Sequence, residues 1–418
     1  MTQQKKLWAA LLLTGIVGGV VGMVLTELMH FIQHHAYGYT AFGADGTPIS
    51  FREGAEQAAP LRRLAVLAGC GVAVGCGWWA LQRFGRPLVS IQTALKRPLA
   101  GLPFGETVCH ALLQIITVAL GSPLGREVAP REMSSAFASL WIKRLGLDED
   151  SARLLIACAS GAGLAAVYNV PLAGTLFVLE TLLGVWTQQA VAAALLTSVL
   201  ATAVARLGLG DVQQYPLPEL AVNQALLWWA AAVGPLLGGA AILFQRTAKP
   251  FPLLKRDNIR MVPLALAAFV AIGFISMFVP EILGNGKAGN QLVFAGLIDW
   301  QGSLTLTALK WAAVLLALAA GAYGGLITPS MMLGSTLAFA SAALWNTFLP
   351  HMPSETAAVV GATVFLGVSM NMPLTAVVFI LELTRAPAAL LMPLCAGMAT
   401  AVAAEKAWKS RYSGFTLK

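Results

Sequence analysis

Apolar residues run through this chain in long unbroken blocks, with no strict alternation and no single helical stripe. Seven blocks stand out: Leu7–Leu28, Leu64–Leu81, Ala190–Ala205, Ala225–Leu243, Val262–Phe278, Leu306–Ala320 and Ala389–Ala404. Each comes at or near the roughly 17–25 residues that carry a helix across a bilayer. Between them lie shorter apolar stretches broken by Gly and Pro, such as Ala111–Leu120, Met133–Leu145, Leu154–Val167 and Leu172–Leu183. Several are too short to cross comfortably, so the pattern predicts discontinuous helices that end inside the membrane. Lipid supplies no partners for backbone polar groups, which makes an all-α, polytopic helical bundle the expected fold.

Composition agrees. Of 418 residues, 57% are hydrophobic and only 11% charged, against roughly a quarter charged in soluble domains. The net charge of +8 comes from clusters at Lys5–Lys6, Arg83–Arg86, Lys96–Arg97, Lys143–Arg144, Arg246–Arg260 and Lys406–Arg411. Such clusters in a polytopic protein mark cytoplasmic loops, and no basic element is interleaved with aromatics, so nucleic acid is excluded as a partner. The five cysteines, Cys70, Cys76, Cys109, Cys158 and Cys395, lie in apolar segments without paired spacing. They are expected to be small buried hydrophobes, not disulfides or metal ligands. The first apolar block is too long for a signal-peptide core and is expected to stay as an anchor helix. A short basic tail, 406–418, is expected to end the chain without a regulatory domain.

The chain also repeats itself. Asn169-Val-Pro-Leu-Ala-Gly-Thr-Leu-Phe-Val-Leu-Glu180 recurs 202 residues later as Asn371-Met-Pro-Leu-Thr-Ala-Val-Val-Phe-Ile-Leu-Glu382. Gly125-Arg-Glu-Val-Ala-Pro130 is answered by Gly324-Gly-Leu-Ile-Thr-Pro329. Two halves are expected, 1–205 and 222–405, joined by a linker over 206–221. Loop charge sets their relative sense. Arg83–Arg97 holds four basic residues, whereas the matching Pro280–Gly302 holds one, Lys287. Tyr37–Pro60 has one basic residue, whereas Arg246–Arg260 has five. Arg62 and Arg63 border the first of these loops and weaken that second contrast. Equivalent loops thus lie on opposite faces, and the halves are read as an inverted repeat.

The sharpest chemical signal is Gly121-Ser-Pro-Leu-Gly-Arg-Glu-Val-Ala-Pro130. Glycines and prolines stop one helix and start another, and a helix N-terminus offers free N–H groups and partial positive charge to an anion. Glu127 falls inside this turn, where an isolated carboxylate is costly unless protonated or seated in the anion site. Two readings stand on the residues alone. Glu127 competes with the anion and withdraws carrying a proton, or it pairs with Arg126 or Arg131 at a membrane rim. Thr328 offers a hydroxyl to an anion or proton path, or it bonds its own helix backbone. Glu180 and Glu382 hold equivalent places, which favours a structural role over proton carriage by Glu180. Glu132 and Glu27 read as bundle-facing or interfacial carboxylates. His30, His34 and His35 lack metal-partner spacing, and His110 and His351 stand isolated. There is no nucleophile–base set, nucleotide motif or cofactor signature, and the chain is expected not to be an enzyme.

Together these motifs resemble the CLC family of anion channels and proton-coupled exchangers, over nearly the whole chain. Gly125–Pro130 is similar to the family's Gly-Lys/Arg-Glu-Gly-Pro motif, whose glutamate is the external gate; Gly324–Pro329 resembles its Gly-x-Phe-x-Pro motif. Asn169–Glu180 resembles the Asn-Ala-Pro-Leu-Ala-Gly segment. The resemblance implies a homodimer with a pore in each subunit, in a bacterial inner membrane with both termini cytoplasmic. It implies that small inorganic anions and protons are the transported partners, with lipid around the protein and no cofactor or metal. It places anion binding at Gly125, Arg126 and Val128, at Gly325, Leu326, Ile327 and Thr328, at Leu88 and Val89, and loosely at Tyr412. Three departures mark this chain. Arg86 replaces the family's chloride-binding serine, Ile327 its pore phenylalanine, and Thr181 the glutamate that relays protons internally in exchangers. These departures resemble the fluoride/proton antiporter branch, although some bacterial chloride carriers share two of them. The expected function is proton-coupled anion antiport, with fluoride ahead of chloride. A passive channel of the same fold is the first rival; a membrane enzyme or assembly factor and an organic-solute carrier are remoter ones.

Overall fold

The computed structural model describes residues 2–43, 47–218 and 221–413, with the side chains of 409–413 outside that description. Seventeen α-helices and no strand occur among the described residues. The first nine are α1 (Gln3–Tyr37), α2 (Phe51–Gln57), α3 (Pro60–Phe84), α4 (Ile91–Lys96), α5 (Phe104–Ala119), α6 (Val128–Leu145), α7 (Glu149–Tyr168), α8 (Pro171–Phe177) and α9 (Gln188–Leu209). The rest are α10 (Gln224–Ala248), α11 (Met261–Ser276), α12 (Lys287–Phe294), α13 (Trp300–Ala319), α14 (Ile327–Phe348), α15 (Ser354–Ser369), α16 (Pro373–Thr384) and α17 (Leu391–Ser413). Among the described residues, eight helical segments are long and apolar enough to cross a membrane. The predicted block at Val262–Phe278 forms α11, which at 16 residues is shorter than those eight.

One compact unit comprises Met1–Gln214, Phe251–Asn285 and Leu316–Gly325. At its centre α7 is buried at every position from Leu154 to Tyr168. Its neighbour α1 approaches closely because glycine faces it. A methyl group on Gly18 or Gly22 would press on Ala162 or Ala166 of α7, the small-residue contact that lets membrane helices pack without a hydrophobic driving force. At 35 residues, about 50 Å of helix, α1 exceeds the ~30 Å apolar slab. The second unit comprises Tyr215–Pro250, Gly286–Leu315 and Leu326–Lys418. There α15 takes the central place, buried from Thr356 through Ser369, and Gly361 meets Gly334 of α14 at backbone distance.

The repeated Asn-x-Pro motifs share one backbone form. Asn169 and Asn371 both turn left-handed, at φ 62° and 53°, and each is followed two residues on by a proline that opens a helix, α8 or α16. Asn is a side chain that tolerates this conformation, and Pro suits a first helical turn. The two then diverge. α8 runs on into a π-helical turn, Val178–Leu183, that contains Glu180 and Thr181, whereas Glu382 sits in regular α16. Their left-handed caps are Gly184 and Arg385, so the π turn absorbs one extra residue in the first copy. The expectation that all five cysteines are buried is corrected. Cys70 and Cys158 are, but Cys76, Cys109 and Cys395 are exposed on apolar helices, because a lipid-facing surface accepts a thiol as readily as a core does.

Candidate functional site

The break between α5 and α6 builds the site. α5 stops at Ala119, and Gly121 turns at φ +99° with its carbonyl accepting from Gly284 N–H at 3.1 Å. The chain then extends through Gly125, whose N–H donates to Gly325 O at 2.6 Å, while Gly325 N–H donates back to Gly125 O at 2.8 Å. The two motif glycines thus form one antiparallel pair. Glu127 follows as the N-cap residue of α6, and its side chain caps no N–H of its own helix. It is wholly buried and folds back over the glycine pair, so that a methyl group on either Gly125 or Gly325 would overlap its carboxylate. Tyr168, the last residue of α7, donates its hydroxyl to Glu127 Oε2 at 3.0 Å. Arg131, one turn into α6, stands within Coulombic reach. A negative group here also gains from the positive end of the α6 dipole. The turn that aims Tyr168 is fixed from outside: Asn169 donates to Asp211 and Val212 and accepts from Arg206.

The other predicted residues are only partly gathered here. Val128 is the first residue of α6, directly after Glu127. Two expectations change. The N–H groups of Gly125 and Gly325 are not free for an anion, because each is engaged by the other's carbonyl; the glycines instead make room for the carboxylate. Arg126 turns from Glu127 toward Val167 O at 3.2 Å, with its guanidinium 5.4 Å from the Tyr168 ring centre. It braces the carbonyl end of α7 and does not form the rim pair that the sequence left open. Leu88 and Val89 sit half-buried before α4, which Ser90 caps. Arg86, in place of the expected serine, is largely exposed and clasps Glu106 at 2.8 and 3.0 Å. Leu326, Ile327 and Thr328 belong to the second unit, where Leu326 caps α14 and the other two are buried in its first turn. The side chain of Tyr412 lies outside the described residues. The hydroxyl of Thr181 is buried with no hydrogen-bond partner among the described residues, and Glu180 is half-buried beside it.

Two features were not anticipated. Tyr168 carried a signal in retrospect: a lone phenol beside Asn-Val-Pro, at the end of an otherwise apolar helix. His110, read as isolated, is paired; its Nε2 lies 3.3 Å from Glu132 Oε2. Their separation along the chain conceals this, because only the antiparallel return of α6 along α5 brings the two together.

The site is thus a buried carboxylate at a helix N-terminus, resting over two glycines that have no side chains. The family model described as "Voltage gated chloride channel" matches residues 64–406. The chain belongs to the voltage-gated chloride channel (CLC) family. A voltage-gated ClC-type chloride channel, ClcB, of Citrobacter koseri is 27% identical over 344 residues, 79% of this chain and 81% of the relative. The solved structure of a slow cyanobacterial Cl−/H+ antiporter superposes with a TM-score of 0.81 at 20% identity, covering 96% of this chain and 95% of that one. A CLC-type fluoride/proton antiporter superposes at 0.74 and 18% identity, over 95% and 94%. At such identities the two structures speak for the CLC fold alone. As a CLC protein the chain is a membrane transporter or channel, with prokaryotic relatives.

Proposed function

We propose that this CLC protein is a proton-coupled antiporter of a small inorganic anion, with Glu127 as gate and exchange carboxylate. The observation that carries the reading is the buried Glu127 carboxylate resting on the Gly125–Gly325 pair at the start of α6, held by Tyr168. A charged carboxylate so placed occupies the position that an anion would take. Protonation removes its charge and its claim on the helix dipole, the acid swings out, and an anion enters against the outgoing proton. The donors left to the ion are in the first turn of α6 around Val128; Leu326, Ile327, Thr328, Leu88 and Val89 enter this reading through the resemblance of their motifs to those of the CLC family.

Fluoride is proposed ahead of chloride. Arg86 is directed to Glu106 and offers no hydroxyl to a chloride, and fluoride, small and strongly hydrated, requires a different donor set. The inverted halves 1–205 and 222–405, a homodimer, and both termini on the cytoplasmic side of a bacterial inner membrane are part of the same proposal. The antiparallel pairing of the two motif glycines, a locally two-fold arrangement, supports the inverted halves.

The test is flux from one proteoliposome preparation, read with fluoride, chloride and pH electrodes. Wild-type protein is expected to move protons against the anion gradient, and Glu127→Gln to keep anion flux while proton movement falls to the leak. Proton movement that survives Glu127→Gln would overturn the gate assignment. Chloride leaving at least as fast as fluoride would overturn the ion preference.

A further inference from the structure

We propose that Glu132 is a second proton-carrying carboxylate, held by His110 and Gln114 at the inner end of a polar stripe along α5 that leads toward Glu127. The proposal rests on the reading of Glu127 as the exchange carboxylate.

The stripe is built by helical spacing. Thr107, His110 and Gln114 are buried to 3% exposure or less, and positions three and four apart fall on one helix face. That face meets α6. Gln114 Nε2 donates to Glu132 Oε2 at 3.0 Å, and His110 Nε2 lies 3.3 Å from the same oxygen. The direction of the histidine contact is fixed by Trp78, whose indole N–H, a donor only, points at His110 Nδ1 from 2.9 Å. Nδ1 therefore accepts, the ring proton sits on Nε2, and His110 donates to Glu132. Protonation of Nδ1 would require Trp78 to turn away, so His110 is a positioning residue and the carboxyl group is the carrier.

Two further observations separate this from an inert core contact. The Glu132 side chain keeps 13% of its exposure, and its Oε1 has no hydrogen-bond partner among the described residues, so one oxygen remains able to take up a proton. Thr107 Oγ1 and Gln114 Oε1 are buried without partners. Orphaned buried polar atoms of this kind mark places where water is held, and they flank His110 at both ends of the stripe. From Glu132 to Glu127 is five residues along α6, about 7.5 Å of rise, and Arg131 stands between them within Coulombic reach of both. A proton that water delivers to Glu132 Oε1 gives the neutral acid. Release toward Glu127 regenerates the carboxylate that His110 and Gln114 hold.

The groups facing this pair from neighbouring elements are few. Tyr323 meets the His110 ring edge-on at 4.5 Å and carries the Arg256 guanidinium 3.7 Å from its own ring centre. α3 adds the Cys70 thiol, bonded to Thr117 O. α1 presents Val21, Leu25 and Met29. α7 adds Ser160 against Arg131, the buried Cys158, and Arg153 on Leu95 O at its far end. None is a carboxylate that would replace Glu132.

The experiment compares wild type, Glu127→Gln, Glu132→Gln and His110→Gln in proteoliposomes, recording anion and proton flux together across pH 4.5–8. Glu132→Gln keeps the shape of the site and is expected to lower proton flux at least tenfold while anion flux stays within a factor of two or three. His110→Gln leaves the carrier in place and is expected to displace the pH midpoint of proton flux without moving that of a Glu127→Gln anion leak. If Glu132→Gln does not fold, the His110→Gln pH profile decides. An unchanged midpoint there, or wild-type proton flux in Glu132→Gln, overturns the proposal while the role of Glu127 stands. Proton flux absent from wild type as well would instead overturn antiport itself.

Discussion

Tyr168→Phe isolates the contact that holds the proposed gate, Glu127, in place. The phenol and the carboxylate are both buried, with 3% and 0% exposure, and are joined at 3.0 Å. Hydrogen bonds to charged groups contribute about 1.5–3 kcal/mol. An O–H···O− bond at full strength is shorter, roughly 2.5–2.7 Å, so this one belongs in the lower part of that range, about 1.5–2 kcal/mol. The ring stays, and with it the stacking of Arg126 on its face, so the variant deletes one donor and little else. Loss of that much holding energy raises the population with Glu127 withdrawn by about 10- to 30-fold. Anion efflux from proteoliposomes at fixed pH is expected to rise by up to that factor while coupling loosens. The control is a double-mutant cycle with Glu127→Ala, which has no carboxylate to hold; in that background Tyr168→Phe is expected to leave flux unchanged. If its effect is as large without the carboxylate as with it, Tyr168 does not act through Glu127 and the reasoning fails.

Two other perturbations address the support of the site. Gly325→Ala puts a methyl group where the Glu127 carboxylate rests; it is expected to expel the gate, giving anion flux with little proton coupling, and fully coupled flux from a folded Gly325→Ala protein would refute the placement. Asp148 caps α7 through Ser151 N–H at 2.9 Å, and that backbone bond, followed by one from the Ser151 side chain, holds its carboxyl below the usual aspartate value. A depressed folded value means that the stabilisation is present above the unfolded pKa of about 3.9 and is lost as pH falls below it. Asp148→Ala is expected to cost about 1 kcal/mol at neutral pH and to converge with wild type at acid pH. A thermal-melting series in detergent checks it, and a deficit that persists at the acid end would refute the capping account.

Much of this protein is legible along the chain because the bilayer leaves so few solutions. Apolar blocks of spanning length have to be helices, and Gly and Pro between them have to break helices, since no water is present to satisfy a loose backbone. The Asn-x-Pro copies carried their own turn: Asn at the left-handed position and Pro two residues on yield the same backbone in both places, with only local chemistry involved. Glu127 could be singled out because a carboxylate between helix breakers in an apolar chain is costly unless protonated, paired or seated in an anion site, which left its role open between gate and ion pair.

What the chain order conceals is which groups meet. Gly125 and Gly325 stand 200 positions apart along the chain, and only folding pairs them and engages the very amides that a linear reading leaves free for an ion. Arg126 is adjacent to Glu127 in sequence yet directed to the end of α7, because the turn sends neighbouring side chains to opposite sides. Tyr168 reaches Glu127, and His110 reaches Glu132, across helices whose faces a Leu- and Ala-rich pattern hardly distinguishes. Periodicity normally reveals a helix face through the contrast between water and core. In lipid both sides are apolar, that contrast is weak, and packing alone selects the face.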